Sequence, residues 1–156
     1  MINLNGNSSS SRQVTFITHP SIQSKAFASY LSETLMAPVV LQNINKPLAQ
    51  RLAKDSVILF DIAVSNKKLN GVWRDIIRLQ ADNPRLLIIN SAQKYELYEM
   101  AQWPALYGVF RHDDDESRLI EGVKAVLNGE QTAELSVMHP AMYAADHAST
   151  PVENSP

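Results

Sequence analysis

Five short apolar runs recur along this chain, and their continuity restricts its fold more than any other feature. Val14 to Thr18, Val57 to Asp61, Leu86 to Asn90 and the weaker Tyr107 to Phe110 do not alternate polar with apolar, and the fifth, Val39 to Gln42, is a short run after Pro38. Unbroken hydrophobicity suits strands that are covered on both faces, as crossover helices cover a parallel sheet. The segments between the runs have helical period. Ser21 to Met36 opens on a capping serine and places Phe27, Leu31 and Leu35 on one stripe. Lys67 to Ala81 places Leu69, Val72, Trp73 and Ile76 on another, with Trp73 in the core, and Glu116 to Asn128 carries Leu119, Val123 and Val126 or Leu127 before the stop signal Gly129. Two shorter helices are expected at Pro47 to Ala53 and Lys94 to Met100.

Five strand–helix units in about 120 residues are the size of an α/β, flavodoxin-like, doubly wound domain with a five-stranded parallel sheet. A chain of 156 residues that is 45% hydrophobic has material for one such core and not two. The expected division is a disordered leader at 1–12, the domain at 13–130 and a mostly disordered tail at 131–156, where Pro, Ala, Ser and Thr replace any regular period.

Composition removes several functional classes. Without cysteine there is no disulfide, thiolate metal site or cysteine nucleophile. No apolar stretch reaches the roughly 20 residues of a bilayer span, and Met1 to Gln13 lacks the apolar core of a signal peptide, so a cytoplasmic protein without membrane contact is expected. Net charge is −2, and after Lys124 the sequence holds Glu130, Glu134, Asp146 and Glu153 but no Lys or Arg. Neutralising duplex phosphates takes several cations, so direct DNA binding is not expected. With 5 glycines there is no phosphate-binding loop and no nucleophile elbow, and the chain is not expected to be an enzyme.

The order and spacing of several stretches carry a resemblance. These are Val57-Ile58-Leu59-Phe60-Asp61, Asn66-Lys67-Lys68-Leu69 with Trp73, Asn90-Ser91-Ala92, Gln102-Trp103-Pro104, Gly108-Val109-Phe110 with Asp113-Asp114-Asp115, and Val126-Leu127-Asn128-Gly129-Glu130. Together they resemble the receiver domain of response regulators, and most closely the atypical receivers of CsgD- and VpsT-type LuxR-family regulators, which control biofilm matrix genes. The match runs from about Gln13 to Glu130. In that family a helix-turn-helix domain follows the receiver, and no such pattern is expected after Glu130 here.

The resemblance makes Asp61 phosphoacceptor-like, Ser91 the switch hydroxyl and His112 the residue at the conserved lysine position, with Val109 at the aromatic switch. Phosphoryl chemistry of this kind needs Mg²⁺ held by an acid pair after the first strand. That edge reads Thr18-His19-Pro20-Ser21, so Mg²⁺ binding is expected to be weak or absent, and Asp61 to be a solvated strand-end residue. Relatives that bind cyclic di-GMP use an aromatic-apolar-hydroxyl-Arg motif, for stacking and bidentate capture. The corresponding Thr132-Ala133-Glu134-Leu135 has neither ring nor Arg, so that ligand is not expected, and neither is any other cofactor. The run His112 to Asp115 offers no metal site, because consecutive acids point apart; these acids instead suit a helix start, with a side-chain cap. His19, His139 and His147 show no ligand spacing and are expected in solvent.

The expected function is that of a stand-alone pseudo-receiver, a protein-interaction or dimerisation module in transcriptional regulation. Its partner would be a second copy or a full-length LuxR-family regulator, met through a face that includes Trp103, Leu119 and Val123. The alternatives are a phosphorylatable receiver with Asp61 as acceptor, or a truncated LuxR-family regulator.

Overall fold

The computed structural model describes residues 12–80, 83–92 and 97–129, with the side chains of residues 97 and 98 excepted. The expected tail, His139, His147 and nearly all of the leader lie outside the described residues. In chain order the elements are β1 (Val14–Thr18), α1 (Ile22–Leu35), β2 (Val39–Asn43), β3 (Val57–Asp61), a 3₁₀ turn (Ile62–Val64), α2 (Lys67–Arg78), β4 (Arg85–Ser91), α3 (Leu97–Ala101), β5 (Leu106–Arg111) and α4 (Glu116–Leu127). The strands form one parallel sheet in the order β2-β1-β3-β4-β5, which is the flavodoxin-like winding. Every residue of β1 and β3 is buried, as their unbroken apolar character requires, while the edge strand β2 is only half-buried.

Two apolar layers flank the sheet. On one face Phe16, Leu59, Leu87 and Phe110 pack against Ala28 and Leu31 of α1 and Ile120, Val123 and Val126 of α4. On the other, Ile17, Ile58, Phe60 and Ile88 meet Trp73 and Ile77 of α2 together with Met100 and Trp103. The helix starts are encoded locally. Ser21 and Ser24 cap each other reciprocally, the Ser21 hydroxyl accepting from Ser24 N at 3.0 Å and the Ser24 hydroxyl from Ser21 N at 2.8 Å. Asn66 caps α2, its Oδ1 accepting from Leu69 N at 2.8 Å.

Three expectations are corrected. Pro47 to Ala53 is not a helix but irregular chain. Its apolar anchors are Leu48 and Leu52, too few to repay the cost of nucleating a helix, and the Leu52 amide donates to the Gln80 side chain at 3.1 Å instead. Val72 is 44% exposed, because the buried stripe of α2 runs through Trp73 and Ile77 and leaves Val72 on the flank. Asp115 stands at the N-cap of α4 but makes no side-chain cap bond; the neighbouring Asp114 accepts from Arg111 N at 2.7 Å and so braces the turn.

Gly122 shows how tightly α4 lies on the sheet. A β-carbon there would sit 2.6 Å from Cζ of the buried Phe110. Gly122→Ala is expected to cost about 1–2 kcal/mol, since overpacking outweighs the roughly 1 kcal/mol that alanine gains in a helix. Urea unfolding checks this, and the cost should shrink when Phe110 is also shortened to Leu.

Candidate functional site

β1 and β3 run side by side with Ile17 opposite Phe60, so both chains leave the sheet together at its carboxyl edge. That register sets the Thr18 side chain beside Asp61, and its hydroxyl donates to Oδ2 at 2.7 Å. The other oxygen, Oδ1, accepts from the Asn90 amide at 3.1 Å and from the Ala63 backbone at 3.2 Å, the latter closing the 3₁₀ turn. Asp61 is 7% exposed. It is therefore not the solvated residue expected from sequence: burial of a carboxylate is tolerable when both oxygens are satisfied, and here they are.

Asn90 reaches Asp61 because β4 is irregular at its end. The pairing with β5 slips between Ile88 and Ser91, and Asn90 takes a left-handed backbone with φ of 63°, a conformation that asparagine accepts more readily than most residues. Thr18 is anchored in turn. Its carbonyl accepts from Ile44 N at 3.0 Å, and the Ile44 carbonyl accepts from the buried indole N–H of Trp73 at 2.9 Å. A chain of hydrogen bonds thus runs from the core of α2, through the first residue after β2, to Asp61.

Above Asp61 lies an open cleft of about 500 Å³. Thr18, His19, Ser21, Asp61 and Asn90 supply its polar wall, and Phe27 and Leu119 part of its apolar one. Asp61 is the single carboxylate among the described residues that line it. A hard dication calls for several oxygen ligands, usually more than one of them anionic. One carboxylate, already accepting three hydrogen bonds from Thr18, Asn90 and Ala63, is a poor match for magnesium. The arrangement holds three strand ends together.

Comparison with known proteins matches residues 17–133 to the VpsT-like receiver domain. The chain belongs to that family. This VpsT-like receiver is 32% identical over 114 residues to the CsgBAC operon transcriptional regulatory protein of Escherichia coli K12, covering 73% of the chain and 52% of that protein. It is 29% identical over 123 residues to the probable csgAB operon transcriptional regulatory protein of Salmonella typhimurium LT2, covering 79% of the chain and 56% of that protein. The chain thus spans about half the length of these curated relatives. The crystal structure of the regulatory domain of the master biofilm regulator CsgD superposes with a TM-score of 0.74 at 27% identity, over 82% of this chain and 98% of that one. The resemblance read from sequence and the fold it implied are both borne out. The VpsT-like domain is a regulator's receiver and not an enzyme.

Within this receiver the predicted site residues separate. Asp61 stands at the strand end, as the spacing implied. Ser91 is buried and its carbonyl accepts from His112 N at 3.0 Å, so the two are neighbours through backbone. The side chain that meets Asp61 from β4 is nevertheless that of Asn90, and His112 is exposed beside a smaller cleft of about 220 Å³. Of the proposed interaction face, Val123 is 0% exposed and Trp103 only 4%, the latter lying 5.1 Å from Phe60 between ring centres. Both are core residues, held there by the apolar layers of α4 and α2; Leu119 is half-buried at the Asp61 cleft. The acids before α4 diverge, with Asp113 on the Arg111 guanidinium at 3.2 Å and Asp114 on the Arg111 backbone. Thr18 and Asn90 were the contacts that sequence reasoning missed. Polar residues at the ends of two apolar runs flanking an Asp-ended third were the available signal.

Proposed function

We propose that this VpsT-like receiver is a pseudo-receiver that acts in transcriptional regulation by associating with protein, and that it does not work by accepting a phosphoryl group. The observation that supports this reading is the occupation of Asp61 by Thr18, Asn90 and Ala63, where a phosphorylated receiver would gather acids and a metal. The names of the matched regulators point to csg-operon and biofilm control as the process, and a cytoplasmic place suits a transcriptional regulator. No helix among the described residues is long and apolar enough to cross a membrane.

The partner is a second copy of the chain or a full-length regulator of the same family. On α4 the surface for this contact is the exposed flank of Ser117, Glu121 and Lys124, since Val123 is turned into the core. Light scattering on purified protein, alone and mixed with a full-length VpsT-like regulator, tests the reading. A complex of defined mass that is lost on Glu121→Lys with Lys124→Glu is the expected result. Protein that stays monomeric and forms no complex in either experiment would sink it.

A further inference from the structure

A second cleft, on the face of the sheet opposite α1 and α4, has the chemistry of an anion receptor. It has a volume of about 450 Å³ and lies between α2 and α3, lined by Asn66, Lys67, Asn70, Arg74, Glu99, Gln102 and the edge of Trp103. Among the described residues neither Lys67 nor Arg74 pairs with a carboxylate, although Arg78 one turn further on pairs with Asp75 at 2.9 Å. Arg74 is instead held over the Trp103 ring, its guanidinium carbon 5.3 Å from the ring centre. A guanidinium held over a ring can still donate through its N–H groups to a ligand in the cleft. The two asparagines are oriented by bonds to their oxygens: Asn66 Oδ1 accepts from Leu69 N and Asn70 Oδ1 from the Ser65 hydroxyl at 2.6 Å. Each therefore keeps its amide nitrogen as a donor.

We propose that this cleft binds a small molecule through a phosphate group, held by Lys67 and Arg74 with help from Asn66, Asn70 and Gln102. An ammonium, a guanidinium fork and three side-chain amides offer more donors than the two oxygens of a carboxylate use, and suit the three terminal oxygens of a phosphate. Among the described residues that line the cleft two cations, Lys67 and Arg74, stand with one carboxylate, Glu99. The cleft has the volume of common small-ligand sites, roughly 300–1,000 Å³. This site is separate from Asp61 and does not depend on how that residue is used.

The test is titration of the full chain, followed by backbone amide shifts in nuclear magnetic resonance, with inorganic phosphate, adenosine monophosphate and adenosine as probes. Saturable shifts across Asn66 to Arg74 and at Gln102, with phosphate and with the monophosphate, are expected. Tighter binding of the monophosphate supports an organic phosphate, and equal binding supports recognition of the phosphate alone. Lys67→Gln with Arg74→Gln should weaken binding at least about tenfold, whereas Lys54→Gln, outside the cleft, should leave it unchanged. Because Arg74 covers Trp103, the exposed Lys67→Gln alone keeps the test decisive if the double variant loses its fold. The proposal is overturned by the absence of saturable shifts, by sodium chloride reproducing them at equal ionic strength, or by adenosine binding as well as its monophosphate.

Discussion

Replacing Trp73 by alanine is expected to lower stability by about 4 kcal/mol, the largest loss of any single change considered. The side chain is 1% exposed and packs in the layer with Ile44, Leu52, Ile58 and Phe60. Such a cavity would remove much of the roughly 5–15 kcal/mol that holds a domain of this size together. Trp73→Phe separates packing from hydrogen bonding. It keeps a ring but leaves the buried Ile44 carbonyl without its 2.9 Å donor, at a cost of about 1–3 kcal/mol. Ile44 N also donates to Thr18 O, so this loss should reach the Asp61 site. Urea unfolding gives the free energies, and slower or faster amide exchange at Ile44 reports the coupling, with faster exchange in Trp73→Phe as the expected result.

Thr18→Val should cost about 2 kcal/mol, because it leaves the buried Oδ2 of Asp61 without its donor while barely changing shape. Asp61→Leu should cost a similar amount, since it orphans the Thr18 hydroxyl and the Asn90 amide. The informative variant is the double one. In the double variant the Thr18 hydroxyl and Asp61 Oδ2 no longer strand one another, although the Asn90 amide still lacks its acceptor, so the two losses should fall short of additivity by about 1–2 kcal/mol. Asp61→Asn should be tolerated within about 1 kcal/mol. Its oxygen can serve Ala63 N and the Asn90 amide while its own amide donates to the Thr18 hydroxyl, which can rotate to accept. Additive losses in the double variant, or a large loss in Asp61→Asn, would show that Asp61 is held by something other than these neutral donors.

Much of the scaffold was legible because burial on both faces writes itself into a strand as unbroken hydrophobicity. Val14–Thr18 and Val57–Asp61 end where their apolar runs end, and Ser21 and Gly129 mark where helices begin and stop. The site was harder to read, because it depends on relations between strands. The resemblance placed Ser91 as the switch hydroxyl, and what strand spacing does not show is that the slip in pairing and the left-handed Asn90 bring the preceding side chain to Asp61. Asp61 was expected in solvent because the missing acid pair was visible and the Thr18 hydroxyl that replaces it was not recognised as a partner. The irregular stretch at Pro47 to Ala53 was misjudged for the opposite reason. Leu48 and Leu52 have helical spacing, yet their burial is achieved by packing on the layer beneath α2, without a helix between. Helical period named Val123 without telling how deeply the sheet would claim it, and Trp103, read ahead of the fifth strand as core, edge or contact residue, lies in the core.

We propose that Asp61, a buried acceptor of hydrogen bonds, does not serve as a phosphorylation site. Intact-mass measurement after incubation with Mg²⁺ and a small-molecule phosphodonor tests this directly. No phosphoryl adduct should form on the native chain or on Asp61→Asn, and the two should associate alike. An acid-stable, base-labile adduct on the native chain that disappears in Asp61→Asn would contradict it.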